Sequence, residues 1–427
     1  MVDEPSSAQT RRPSASPRTI LFLQGLATPF FATLSDLLVK QGHKVHRVHY
    51  CGGDQLFRGT SHKNLHHHAY RGKPEGLTDF YRTLMMEHGV DTVLLFGDCR
   101  PVHAVMRPLA EAYGATLYVF EEGYIRPGWV TMESFGTNGF SRMPHTVAGV
   151  VKLLNAAPAK TRCPLPPVAT DMRRRALMDI AAHGANIMQK YRFPHYRTHR
   201  PATLGEEALG WIKRGIAAVR FGSANKRAIT RFEAGDTPFF LAPLQLNSDY
   251  QIREHSRFSG MVEFIEEVMA SFAKHAPKDC HLFFKNHPLD NGMIDYRGII
   301  ARSAAQHGIE DRIGFAAGGD LALLLQKARG VVLVNSTVGF KALSLGRPMK
   351  VLGRAVYDVE GLTDPQPLDS FWQNPHQPQQ RLADEFLTVV ENYTQVRGDL
   401  FSKTGITLAA QEAVKVITGE KPRLPQK

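Results

Sequence analysis

Cysteine is scarce in this chain, and nothing in its spacing pairs it. Cys51, Cys99, Cys163 and Cys280 are scattered, with no Cys-x-x-Cys. That argues for free thiols in a reducing compartment and against a cysteine zinc site. No window approaches the roughly eighteen uninterrupted apolar residues of a membrane span. Gly-x-Gly-x-x-Gly is missing, so the glycine turn Gln24-Gly25 is weak support for a dinucleotide site. The Walker A run is missing too, which counts against a P-loop ATPase. There are no internal repeats. The only biased tract is the Pro/Ser-rich start, residues 1–18, which lacks the apolar core of a secretion signal. It reads as a disordered lead-in to a cytoplasmic protein.

Acidic residues are outnumbered. Lys and Arg total 52 against 40 Asp and Glu, a formal charge of +12, which favours anionic partners. The excess is clustered in Arg173-Arg174-Arg175, in Lys190 to Arg200, and in Lys213, Arg214, Arg220, Lys226, Arg227 and Arg231. Interleaved Tyr, Phe and Trp also fit a single-strand nucleic-acid binder. No aromatic-spaced RNA module accompanies them, so nucleic acid is not expected as a partner. On charge alone a membrane surface fits equally well.

At 427 residues the chain exceeds one compact core, and two domains are expected. Strands at Thr19–Leu23, Lys44–His49, Thr92–Phe96 and Thr116–Phe120 alternate with helical stretches at Phe30–Gln41 and around His103–Tyr113. A second alternation runs through strand 238–242, helix 261–275, strand 281–285, strand 312–315, helix 320–328 and strand 331–334. Such β-α-β alternation predicts an α/β fold with two doubly wound, Rossmann-like units facing across a cleft. That is the GT-B layout of two-domain glycosyltransferases. The expected divisions are 19–150 for an N-terminal acceptor and catalytic domain, 151–235 for a basic helical connection with a Pro-rich break, 236–380 for a C-terminal nucleotide-sugar domain, and 381–427 for a helical tail crossing back to the first unit.

In open α/β sheets ligands sit outside the carboxyl ends of the strands, so residues closing strands are the candidates. His287-Pro288 closes one strand, with Lys285 just before it. Asn335-Ser336-Thr337 closes another and opens a helix. Its free N–H groups and dipole suit a single phosphate without a metal. Gln245 adds a donor at the same edge, in the run ending at Asp249. In the first unit Glu121-Glu122 ends a strand. Partial burial can raise the pKa of one carboxylate and make it a general base or a nucleophile. Arg126 lies next to it. Asp98 either positions an acceptor or caps a helix. His62, His66, His67 and His68 have no carboxylate or Cys at ligand spacing and read as a polar loop near the cleft. Trp129, Trp211 and Trp372 read as core or interface packing.

Taken in order, Phe22-Leu-Gln-Gly25, Tyr50-Cys-Gly-Gly-Asp54, Phe120-Glu-Glu-Gly-Tyr-Ile-Arg-Pro127, Leu244-Gln-Leu-Asn-Ser-Asp249, Lys285-Asn-His-Pro288 and Asn335-Ser-Thr-Val-Gly339 resemble the capsule polysaccharide biosynthesis/export proteins of the KpsS/LipB type. The resemblance spans roughly residues 19–375. It implies transfer of Kdo (3-deoxy-D-manno-octulosonic acid) from CMP-Kdo to a (lyso)phosphatidylglycerol acceptor, with retention, to begin the oligo-Kdo linker of a capsule. It also implies no cofactor or metal, a peripheral place on the inner leaflet of the inner membrane, and capsule synthesis and export proteins as partners. Glu122 then matches the catalytic carboxylate, with Glu121 tuning its charge. His287 matches the phosphate-binding histidine, and Ser336 and Thr337 the hydroxyls that hold the donor. Gln24, Gly25, Asp98 and Arg126 are left to position sugar or acceptor. The competing reading is a non-catalytic adaptor that hands lipid-linked polysaccharide to an exporter.

Overall fold

The computed structural model describes residues 16–157, 168–198, 204–247 and 250–425. Most of the lead-in, most of the Pro-rich break, Arg200 and the Ser248-Asp249 pair therefore lie outside the described residues. Two sheets carry the fold. The first contains β1 (Thr19–Phe22), β2 (Lys44–His49), β3 (Leu65–Ala69), β4 (Thr92–Phe96), β5 (Thr116–Glu122), β6 (Trp129–Ser134) and the late strand β12 (Gln395–Arg397). The second contains β7 (Phe239–Pro243), β8 (His281–Asn286), β9 (Ile313–Ala317), β10 (Gly330–Leu333) and β11 (Met349–Val351).

The spatial orders are β12-β6-β5-β4-β1-β2-β3 and β11-β10-β7-β8-β9. Strands β1 to β5 pair in parallel, β6 and β12 turn antiparallel at one edge, and the second sheet is parallel throughout. Parallel strands covered on both faces read as apolar runs, which is why Thr92–Phe96 and Phe239–Pro243 are buried at every position. In each sheet the order reverses beside the first strand, between β1 and β4 and between β7 and β10. Those two switch points open the crevices where ligands bind. The α/β fold with two facing Rossmann-like units is as the sequence predicted.

The middle of the chain belongs to neither unit alone. Helix Met172–Met188 packs on the short helix Gly52–Leu56 of the first unit, and helix Leu204–Ala234 packs on β9 of the second. Residue 150 falls inside helix Val147–Ala156, whose Val150 joins the second unit's core. Gln380–Thr394 packs on that same core through Phe386, Val389 and Val390. After it the chain returns. Strand β12 pairs with β6, and helix Lys403–Ile417 buries Ile406, Ala410 and Ile417 beside Phe30 and Leu34. The two units are locked together by apolar contact. Tyr124 stacks on Phe340 at 5.0 Å, and the His255 ring meets Phe140 at 4.6 Å.

Three sequence expectations change. His66, His67 and His68 form part of edge strand β3 rather than a loop. Trp372 is fully buried, but Trp211 is 48% exposed, with Arg214 stacked 5.0 Å from its ring centre. The helix expected around His103–Tyr113 is shorter, Met106–Ala112.

Candidate functional site

Glu121 and Glu122 are the last two residues of β5, paired with Thr131 and Val130 of β6. Successive strand side chains point to opposite faces. The two carboxylates therefore point to opposite faces of the sheet. Glu121 turns toward Gly97, whose β-carbon position it approaches at 3.2 Å. Glu122 turns the other way, where Arg175 Nη2 donates to its Oε1 at 2.7 Å and Arg126 Nη1 lies 3.2 Å from its Oε2. Burial pushes the Glu122 carboxyl up, but Arg126 and then Arg175 outweigh it and hold the pKa below its ordinary value, with His287 adding to the effect. Glu122 is thus ionised at neutral pH, contrary to the expected raised pKa. Two arginines blunt its basicity, so it stands as a fixed anion more than a proton acceptor.

Across the cleft, β7, β8 and β10 deliver their polar ends to one cavity of about 530 Å³. Lys285, His287, Pro288, Ser336, Thr337 and Lys341 line it from the second unit, and Tyr124 and Arg126 from the first. Nδ1 of His287 accepts the Leu289 N–H at 3.0 Å, which assigns the neutral ring's proton to Nε2. Burial, then Arg126 and Lys285, lower this histidine to about 4, against an upward pull from Glu122. His287 is therefore a neutral N–H donor, and the positive charge around it comes from Lys285, Arg126 and Lys341. Each group also acts on the other, Glu122 pulling His287 up and His287 pulling Glu122 down.

The Ser336-Thr337 turn is held from behind. The Tyr357 hydroxyl donates to the Ser336 carbonyl at 2.6 Å, and a β-carbon on Gly339 would lie 2.2 Å from the Tyr357 ring. Only glycine permits that approach. The Val338 N–H donates to Ser336 Oγ at 3.2 Å, and the helix it opens, Val338–Ser344, has seven residues. So short a helix with one N–H already taken contributes less to anion binding than the sequence implied, and the lysines contribute more.

The other predicted residues stand elsewhere. Gln245 and Asn335 are buried and bond each other, Gln245 Nε2 to Asn335 Oδ1 at 3.0 Å and Asn335 N to Gln245 Oε1 at 3.2 Å. They brace the cavity floor without lining it. Asp98 is buried, paired with Arg107 at 2.7 Å and accepting the Thr137 N–H at 3.2 Å. It neither faces the cavity nor caps a helix. Gln24 donates to the Tyr196 hydroxyl at 3.1 Å and toward Asp54 at 3.3 Å, while the Gly25 carbonyl accepts from Arg100 at 2.9 Å. Neither Gln24 nor Gly25 lines the cavity that holds His287.

Four residues escaped sequence reasoning. Arg175 sits in a basic run whose partner is distant in the chain. Tyr124 and Lys341 gave no signal beyond adjacency to motifs. Glu133 is buried on β6, where Tyr124 Oη at 2.6 Å and Ser141 Oγ bond its two oxygens, and burial raises its carboxyl to about 8. It fixes the Tyr124 hydroxyl, which in turn accepts the Asn138 N–H at 2.7 Å.

A second groove of about 1070 Å³ adjoins the cavity and shares Asn286, His287 and Pro288 with it. Helix Leu204–Ala234 forms its far wall. Its lining mixes cations, among them Arg214, Arg220 and Arg297, with apolar Ile216, Phe221 and Phe315.

Comparisons with known proteins agree with this picture. A family model described as capsule polysaccharide biosynthesis protein matches residues 91–401. The capsule polysaccharide export protein KpsS of Escherichia coli is 32% identical over 387 residues, covering 89% of this chain and 96% of that protein. The capsule polysaccharide modification protein LipB of Neisseria meningitidis serogroup A is 31% identical over 393 residues, covering 91% and 93%. Among solved structures, the Thermosulfurimonas dismutans KpsC beta Kdo 2,7 transferase matches at 14% identity with a TM-score of 0.44, covering 94% of this chain and 99% of that one. With a cleft of this make-up and relatives aligned over nearly its whole length, the chain belongs to the capsule polysaccharide biosynthesis protein family.

Proposed function

We propose that this protein is a glycosyltransferase that moves Kdo from CMP-Kdo to a (lyso)phosphatidylglycerol acceptor with retention, beginning a capsule's oligo-Kdo linker. The observation that carries the reading is an ionised Glu122 paired with Arg126, which itself lines the cavity that holds a neutral His287 with Lys285 and Lys341. In this scheme CMP occupies the cavity of the second unit. The sugar carboxylate draws Arg126 away from Glu122 and frees Oε2. That oxygen attacks the anomeric carbon, the bond to the phosphate oxygen breaks, and CMP leaves with the electron pair. His287 Nε2–H and the lysines meet the growing phosphate charge, which fixed donors stabilise most at the transition state. The acceptor hydroxyl then attacks the anomeric carbon, the bond to Glu122 breaks and restores its carboxylate, and the hydroxyl proton passes to water.

The scheme calls for no cofactor and no divalent ion, so turnover should persist in a chelator. The amphipathic groove beside His287 suits an anionic lipid, with arginines for the headgroup and Ile216, Phe221 and Phe315 for the chain. Exposed apolar stripes support a peripheral place on the inner leaflet of the inner membrane, near capsule synthesis and export partners. Leu177, Ile180, Ile187 and Tyr191 recur at helical spacing, as do Leu209, Ile212, Ile216 and Val219, all largely exposed and flanked by Lys and Arg. Each such cation adds about 1 kcal/mol of attraction to an anionic leaflet. Among the described residues no helix is long and apolar enough to cross a membrane.

The test is direct. Purified protein given CMP-Kdo and a fluorescent lyso-phosphatidylglycerol should yield a heavier, Kdo-bearing lipid. Absence of product with the donor intact overturns the reading and leaves the adaptor role.

A further inference from the structure

Far from the cleft, the edge of the first sheet gathers imidazoles. His46 on β2 pairs in register with His66 on edge strand β3, and His68 lies two residues further along the same face. His88, the last residue of helix Leu77–His88, reaches the same spot. Ring centres of His46 and His88 are 4.2 Å apart, those of His46 and His68 5.2 Å, and those of His68 and His88 5.7 Å. One nitrogen from each of these three rings lies within 4.8 Å of the other two. Nδ1 of His46 and Nε2 of His68 are 2.9 Å apart. His46 Nε2, however, is buried without a hydrogen-bond partner, and its residue is 1% exposed.

We propose that His46, His68 and His88 form a binding site for one divalent transition metal of the zinc class, with the fourth position open to water. Three imidazoles without a carboxylate suit a borderline metal and not calcium or magnesium. Tetrahedral bonds of about 2.0–2.1 Å bring ligand nitrogens roughly 3.4 Å apart, so ring movements of about 1 Å close the site. The exposed Lys44 is the flanking ammonium. The metal would tie β3, an edge strand, to β2 and to the end of helix Leu77–His88. His67 points to the opposite face, where it meets His49 at 2.8 Å, and serves as an internal control.

The experiment is zinc titration by calorimetry of the full-length, tag-free protein. It is paired with the visible spectrum of the cobalt(II)-loaded protein and with thermal unfolding with and without zinc. One zinc per chain, a tetrahedral cobalt band and a higher melting temperature are expected. His88→Asn and His68→Asn should each weaken zinc by about 100-fold or more, since even partners outside a metal's ligand set cost 10–100-fold. His67→Asn should leave it unchanged. His88 and His68 are only part-buried, so these variants carry the test even where a His46 variant misfolds. No saturable binding, binding undiminished in His88→Asn, or equal loss in His67→Asn would overturn the assignment. None of these readouts depends on transferase activity.

Discussion

Replacing Glu122 by Gln keeps the side chain's shape and removes its charge. In the folded protein Arg175 meets that charge at 2.7 Å, with side chains 23% and 27% exposed, and Arg126 meets it at 3.2 Å but is 51% exposed. A part-buried charge-assisted bond is worth about 1.5–3 kcal/mol. The exposed Arg126 pair is screened and adds less than ~1 kcal/mol. The amide oxygen still accepts from Arg175, so the net loss of stability should be roughly 1–3 kcal/mol, inside the usual margin of about 5–15 kcal/mol. The loss has a pH signature. Glu122 has a folded pKa below its ordinary value, so its stabilisation is complete above that ordinary value and vanishes as pH falls through the folded pKa. The gap in denaturant midpoint between wild type and variant should be full at neutral pH and close in acid. Turnover should fall much further, because an amide cannot form the glycosyl ester. A loss of about 1000-fold or more corresponds to ~4 kcal/mol of transition-state stabilisation. The assay measures Kdo-lipid formation and CMP affinity on one preparation. Turnover above about a tenth of wild type, or a loss matched by an equal loss of CMP affinity, would refute a chemical role for Glu122.

Other outcomes follow from the same geometry. His287, lowered to about 4, stays neutral at pH 6, where an ordinary histidine near 6.5 would be mostly charged. Affinity for a CMP phosphodiester, whose phosphate stays singly charged over this range, should therefore hold flat from neutral pH down to about pH 5 and change only near 4; a midpoint near 6.5 would contradict the Nε2–H donor role. Lys341→Ala should raise KM for the donor about tenfold with kcat less affected, as expected for a group binding ground and transition states alike. Gly339→Ala puts a methyl 2.2 Å from the Tyr357 ring and should cost about 2 kcal/mol or more in thermal or chemical unfolding, whereas Gly184→Ala, with open space, should not. Ile180→Asp together with Ile216→Asp should abolish co-sedimentation with phosphatidylglycerol vesicles while leaving CMP binding intact, and unchanged sedimentation would exclude these stripes as the membrane contact.

Much of the candidate site was legible before any coordinates because a buried parallel strand writes its end into the sequence. Where the apolar run of β8 stops, Lys285 to Pro288 begins; where β10 stops, Asn335 to Thr337 begins; where β5 stops, Glu121-Glu122 stands. Period-two alternation even implies that the two glutamates part ways. It does not say which of them faces the cleft, since that depends on which side the second unit docks. Edge strand β3 was missed because its Leu-His-His-His-Ala has no apolar run, and β12 because a strand of three residues carries too little pattern.

The sequence by itself determined the two alternating α/β units, the strand ends that carry chemistry, the basic balance and the family. Those features arise from local propensity, burial period and order along the chain. Only the tertiary structure decided that Arg175 joins Glu122, that Gln245 and Asn335 satisfy each other, that Asp98 is held by Arg107, and that His46, His68 and His88 meet at one point. Those pairings join residues far apart in the chain. They exist because burial forces polar groups to find partners, and only packing decides which partner is within reach.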